Sequence, residues 1–558
     1  MKHLFRVSVV VLSLSLSACS VMQLEKMACA MGRANSCTIV SSLYYEKQDY
    51  ANAKIYAEKA AEQGDAQGQY NLAILYNEGQ GVEQDYVQAK QWYEKAAEQG
   101  FAPAQNNLGT LYEVGHSVAQ NYAKAFELYK KSAEQGYAQA QSNLGFFYYR
   151  GLVVAQDYAQ AKQWYEKAAE QKFADAQYNL GTLYHFGQGV KQDYTQAKLW
   201  YEKAAEQGFA PAQNNLGTLY QQGQGVAQNY EKAFELYEKS AKQGHAIAQR
   251  NLGSLYENGL GVKQDYTQAV EWYQKAAQQG DTNAQNNLGI MYDNGRGVKQ
   301  DYAQAKLWYE KAAEQGYAQA QYNLGILYNQ GQGVERNYIL AKQWFEKAAE
   351  QGLAEAQHNL AHKYRKGEGV EQNYVKAVEW FLKSAEQGYM KAQNDLGVLY
   401  ENGWGVEQDY AKAVEWYQKA AEQGDSIAQY NLGFLYDEGQ GVAQDYTQAK
   451  QWYEKAAEQG LSQAQNSLGV MYLNGNGVKQ NYATALEWYQ KAAQQGNATA
   501  QQNLGELYEN GLGVEKDLSQ AQKYYQQACN SDKKIACKSL ERINKNLKNQ
   551  KVKIFQAA

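Results

Sequence analysis

Two histidines, His358 and His362, stand four residues apart, a spacing that puts both imidazoles on one helical face within reach of one metal ion. No Glu lies between them as in a zinc hydrolase, so the expectation is a solvated helical pair with no metal and no cofactor. The other histidines, His3, His116, His185 and His245, are scattered. Gly-x-Gly-Val segments recur ahead of helical patterns, but without the preceding strand and the lysine of a phosphate-binding loop; they read as interhelical turns. Acids are spread evenly, and nothing sets one acid apart from one base. No catalytic residue is expected. Four cysteines form two pairs of identical spacing, Cys29 with Cys37 and Cys529 with Cys537. A metal site needs more ligands than such separated pairs provide.

The elements that must carry these residues are repeats. The 558 residues are 44% hydrophobic and 20% charged, with a mean hydropathy of -0.72, which excludes both a multi-span membrane protein and a poorly hydrophobic disordered one. Forty-nine Gly and 49 Tyr against 2 Pro is the alphabet of one unit copied many times. Net charge is -5 with Lys and Glu interspersed, so no basic surface invites nucleic acid. Leu-Gly or Leu-Ala begins at Leu72 and returns every 36 residues through Leu108, Leu144 and onward to Leu504, thirteen times in register.

Each unit reads as two short helices. In one copy Leu288, Met291 and Tyr292 make one apolar face, and Tyr302, Ala305, Tyr309 and Ala312 make another that Trp308 widens. The other Trp of second helices, such as Trp92, read as core. Asp301 is placed to cap the second helix with Gln304 reciprocating, and Gly316 to end it left-handed. Small residues at Gly289 and Ala305 allow close approach of backbones. A single pair cannot bury both faces, so the units must stack as a solenoid.

At the N-terminus Lys2 and Arg6 precede an apolar run, Val7 to Leu16, too short to span a bilayer but suited to a secretory signal. It ends in Leu16-Ser17-Ala18-Cys19, which resembles the bacterial lipoprotein cleavage box and implies lipidation at Cys19. Ser20 after it, rather than Asp, resembles lipoproteins sorted to the outer membrane. The expectation is residues 1–19 as signal, 20–545 as repeat array and 546–558 as tail, facing the periplasm or the surface.

The pattern Ala-Gln-x-x-Leu-Gly-x-x-Tyr, then Gly-x-Gly-Val, Asp-Tyr-x-x-Ala, Trp-Tyr and Lys-Ala-Ala closely resembles the Sel1-like repeat, a relative of the tetratricopeptide repeat. The resemblance covers about residues 35 to 545. It implies an all-α, right-handed α-solenoid of about 14 helix-loop-helix repeats, the first with a shortened loop. Departures are few: Ser117 and Val153 replace a loop glycine, Ala73 and Ala361 the helix glycine, and Lys172 the terminating glycine. Cys29 and Cys529 take the place of the second Ala in Lys-Ala-Ala, and Cys37 and Cys537 that of the Gln in Ala-Gln. In an oxidising compartment each pair would be a staple across a helix–helix turn. The spacing also resembles that of cysteine-rich secreted Sel1-type proteins. Leu540 to Lys553 reads as a capping helix.

What varies between units points to binding. Positions two before, two after and five after the repeated Leu share one helical face, and tetratricopeptide-type solenoids turn that face into a groove. The candidates for partner binding are Phe146, Tyr149, Tyr178, Tyr322, Arg365, Tyr430 and Phe434, with Trp404 at a loop tip. The plainer alternative is that these residues cover neighbouring helices. Lys363 replaces an inward apolar residue in the most divergent internal copy. The function expected is a non-catalytic scaffold or adaptor of the cell envelope. Its partners are envelope proteins, with membrane contact only through the N-terminal lipid. The alternatives are a binder of peptidoglycan or of a peptidoglycan enzyme, and a weak β-lactam-binding or hydrolysing protein.

Overall fold

The computed structural model describes residues 18–531 and 533–557, with side chains for 21–546 except Asp532, and for Lys548. Residues 1–17 of the proposed signal lie outside the described residues, and so does the Cys19 side chain. Among the described residues the secondary structure is thirty α-helices and no strand. The chain divides into two compact units, up to Asp281 and from Thr282 onward, each built from fifteen helices on one plan. No described helix is long and apolar enough to cross a membrane.

Local chemistry sets every described helix but the last at thirteen residues. In the first unit the helix Tyr194–Glu206 starts where Asp193 Oδ1 accepts from the amides of Thr195 and Gln196 at 2.9 and 3.0 Å. The following helix, Ala210–Gln222, stops at Gly223, whose φ of 69° lets its amide return to the Leu219 carbonyl. The left-handed positions exist whether or not glycine fills them: Ser117, Val153 and Lys172 sit at φ 57°, 70° and 62°.

Within a repeat the helices meet where a glycine faces a tyrosine. Tyr237 is fully buried on Gly217, where a Cβ would lie 2.9 Å from the ring. In the second unit Tyr309 lies on Gly289 in the same way. The ring fills the space and in most copies its hydroxyl finds a polar partner: Tyr237 donates to Gln221 at 2.6 Å and Tyr417 to Glu401 at 2.5 Å. Burial holds the Tyr237 hydroxyl up at about 12.

The Trp residues of second helices correct the sequence expectation. Trp308 alone among the ten is buried, and the rest are half-buried. Each carries the ammonium of the Lys three residues on over its ring, as Lys203 over Trp200 at 3.7 Å and Lys419 over Trp416 at 3.9 Å. The core belongs to the Tyr column, and Trp forms a rim sealed by lysine stems.

Buried glutamines tie repeat to repeat. Gln177 donates to the Ala169 carbonyl of the preceding second helix at 3.2 Å and accepts from Gln207 at 2.7 Å. Gln393 repeats this in the second unit, with Ala385 at 3.1 Å and Gln423 at 2.7 Å. At both ends of the array the same place holds a covalent bond. Cys29 is joined to Cys37 and Cys529 to Cys537, each with Cα atoms 4.7 Å apart and partners eight positions apart in the chain, as are Gln177 and Ala169. Gln63 still donates to Cys37 Sγ at 3.9 Å, so the rung survives the exchange. The first pair fastens helix Ala18–Ala30 to Ala34–Glu46, and the second fastens Leu518–Asn530 to Lys534–Ala557. This last helix buries Leu540 and Ile543 against Tyr525 and runs on past residue 545 to Ala557, so the segment after 545 is helical backbone.

Candidate functional site

The face set by the variable columns of the first helices carries two kinds of residue. Some are inter-repeat ties. The position before the repeated Leu is Asn in eleven of thirteen copies, and in most of these it reaches the residue 37 positions earlier in the neighbouring repeat. Asn143 donates to Asn106 at 2.9 Å and Asn323 to Asn286 at 3.0 Å. Where the earlier residue is Tyr, its hydroxyl accepts instead, as Tyr178 from Asn215 at 3.5 Å and Tyr322 from Asn359 at 3.4 Å.

This ladder separates the predicted binding residues. Phe146, Phe434 and Trp404 are exposed, at 39%, 38% and 42%. Tyr149 is half-buried with its ring edge-on to Tyr158. Tyr178 packs on Tyr201 and Phe209, Tyr322 on Phe345, and Tyr430 on Tyr453. The two aromatic clusters expected, Phe146 with Tyr149 and Tyr430 with Phe434, therefore each present one outward ring, and the tyrosine covers the next helix. Trp404 lies 5.8 Å from Tyr374 at a tilted angle, which fixes the loop tip against the preceding repeat.

The most altered stretch is the helix Ala354–Lys366 with its neighbour Met390–Asn402. His358 is buried, not solvated as the sequence reading expected: its exposure is 8%, and its ring contacts Phe381 and Tyr389. Its Nε2 lies 2.9 Å from Asp395 Oδ2, the ladder offset of 37 residues. His362 Nε2 lies 2.9 Å from the same oxygen and 3.1 Å from His358 Nε2. Arg365 Nη1 reaches the other oxygen, Oδ1, at 3.3 Å, so the guanidinium proposed to meet a partner is engaged within the chain. Burial opposes a charge on Asp395, but hydrogen bonds from His358 and His362 hold its carboxyl well below the usual carboxylate range. Burial pushes the His362 imidazole down, favouring its neutral form beside the carboxylate.

Lys363 is 3% exposed in a column otherwise filled by Leu, Met or Phe. It hydrogen-bonds Asn329, pairs with Glu368 at 2.6 Å and lies 4.4 Å over the Tyr338 ring. The Lys363 ammonium holds the Glu368 carboxyl below its ordinary value. Asp395 was missed from the sequence, though its signal is plain: it is the one acid in the Asn column.

Comparison with known proteins places this architecture. The Sel1 repeat model matches fourteen successive segments: 42–65, then 36-residue segments from 66–101 to 354–389, then 391–425, 426–461, 462–497 and 498–533. A protective antigen of uropathogenic Escherichia coli strains displaying an SLR fold is 40% identical, with a TM-score of 0.66, over 82% of this chain and 97% of its own. A Sel1 repeat protein from Oxalobacter formigenes is 38% identical over 55% of this chain and 89% of its own, with a TM-score of 0.45. No curated protein matches the chain.

Proposed function

The chain belongs to the Sel1 repeat family, and on that premise we propose that it is a non-catalytic protein-interaction scaffold of the bacterial envelope, lipid-anchored at Cys19. The observation that carries this reading is the split of the variable columns. Tyrosines in them are spent on packing, whereas Phe146 and Phe434, in the column two residues after the repeated Leu, stay open to solvent. Large rings held on rigid helices are efficient anchors, because they bring contact area at little cost in side-chain entropy. The signal-like run before Cys19 and the two disulfides support an oxidising, exported address. The relative's description as a protective antigen favours an outward orientation.

The test is capture from envelope extract on the immobilised oxidised full chain, beside a variant carrying Phe146→Ala, Trp404→Ala and Phe434→Ala. Circular dichroism first establishes that both are equally helical. A protein retained by the parent and lost with the variant supports the reading. Equal retention moves the binding surface elsewhere, and retention of purified peptidoglycan with no protein replaces the scaffold by a cell-wall binder.

A further inference from the structure

We propose that His358, His362 and Asp395 form a binding site for one divalent transition-metal ion, bridging the first helices of two successive repeats. The three ligand atoms, Nε2, Nε2 and Oδ2, are already mutually 2.9, 2.9 and 3.1 Å apart. An ion about 2.0–2.1 Å from each atom fits at these separations, with ligand–metal–ligand angles of roughly 90–100°. Two imidazoles and one carboxylate on one face of the ion, with further positions open, suit zinc, nickel, cobalt or ferrous iron.

The ladder does not require this set. Elsewhere one amide donor and one acceptor complete the rung, as Asn323 with Asn286. Here the acid, the buried imidazole and the second imidazole are three separate departures from their columns, in two different repeats, and they meet at one point. Without a cation, two imidazole nitrogens converge on a single oxygen while lying only 3.1 Å from each other. A metal ion takes the place of the protons between them. His362 Nδ1 is buried with no hydrogen-bond partner, so it can take the proton that Nε2 gives up.

Support around the site has the form metal ligands need. Arg365 holds Asp395 Oδ1 and leaves Oδ2 to the ion, and Phe381 packs against both imidazoles. Asp395 and His362 keep 17% and 24% of their side-chain exposure, so an ion can enter and a water or an outside ligand can complete its shell.

Other copies of the repeat supply variants compatible with the fold. Asp395→Asn, His358→Asn and His362→Ile each install a residue found in the same column of other repeats. The experiment is calorimetric titration of the purified full chain with zinc chloride, with visible absorption of the cobalt-loaded chain as a second readout. The expected result is one zinc per chain in the parent. Asp395→Asn and His362→Ile should weaken binding at least about 100-fold and remove the cobalt spectrum, and Arg365→Gln should weaken it about 10-fold. Absence of stoichiometric binding by the parent overturns the proposal. So does undiminished binding by Asp395→Asn or His362→Ile variants of parental helix content.

Discussion

The helices Ala354–Lys366 and Ser426–Glu438 hold the same place in their repeats but carry opposite chemistry. Both bury the repeated Leu and Gln, and both end on a left-handed glycine, Gly367 at φ 71° and Gly439 at φ 68°. Where the second offers Tyr430, Phe434, Leu435 and Asp437, the first has His358, His362, Lys363 and Arg365. The backbone is indifferent to the exchange because its register is held by other columns: a small residue with a buried ring (Ala361 with Phe381, Gly433 with Tyr453), the glutamine ladder and the capping Asp or Asn. Columns outside that framework are free to vary, and in the first helix they vary together, drawing in Asp395 and Glu368. Specialisation in this array lies in side chains on a constant backbone.

The largest loss of stability is expected where the framework itself is violated. A Cβ at Gly433 would lie 2.8 Å from the Tyr453 ring, and Gly433→Leu is expected to cost about 3 kcal/mol. Thermal unfolding should register it, and Ala361→Gly in the other helix should register much less.

Next come the array ends, where a disulfide occupies the place of the glutamine rung. Cys29→Ser with Cys37→Ser should lose about 2–3 kcal/mol on the chain-entropy model, confined to the first helices. Hydrogen exchange followed by mass spectrometry should show faster exchange before residue 62, with 354–389 and 426–461 unchanged.

Alkali should separate the two repeats themselves. Burial and the neighbouring Asp437 hold the Tyr453 hydroxyl above its ordinary value, whereas the same column holds Phe381 beside the helix Ala354–Lys366. A raised folded value means stability that is full below about pH 10, the unfolded value, and lost as pH rises toward the folded one. The loss is about 1.4 kcal/mol per pH unit. Above pH 10 exchange should accelerate in 426–461 before 354–389.

A smaller effect is expected at the buried ammonium. Lys363→Leu restores the column residue and should be neutral or stabilising by about 1 kcal/mol, read as the denaturation midpoint. Smallest is Val153→Gly, which relieves a β-branched residue at φ 70° and should add up to about 1 kcal/mol.

The framework was legible in the sequence because each of its contacts recurs. Gly opposite Tyr, Asp before the second helix and cysteines in the Gln and Ala columns all follow from a 36-residue register. The surface was less legible. Whether a ring at a variable position points out depends on the next repeat: Tyr430 is drawn onto Tyr453, but Phe434, one turn on, is left open. Trp looked like core because lysine stems three residues away make it a sealed rim. The meeting of His358 with Asp395 required the 37-residue ladder offset, which emerges only when first helices lie side by side. The acid in an Asn column was the trace of it.

The proposed scaffold role requires that first-helix variable positions meet a protein partner. Its most direct test is a photo-reactive amino acid at position 146 or 434, compared in living cells with the same probe at Val87 or Val375, which are as exposed but lie on second helices. Discrete protein adducts are expected from 146 and 434 and none from 87 and 375. Adducts from the second-helix positions alone, or from none of the four, would contradict that role.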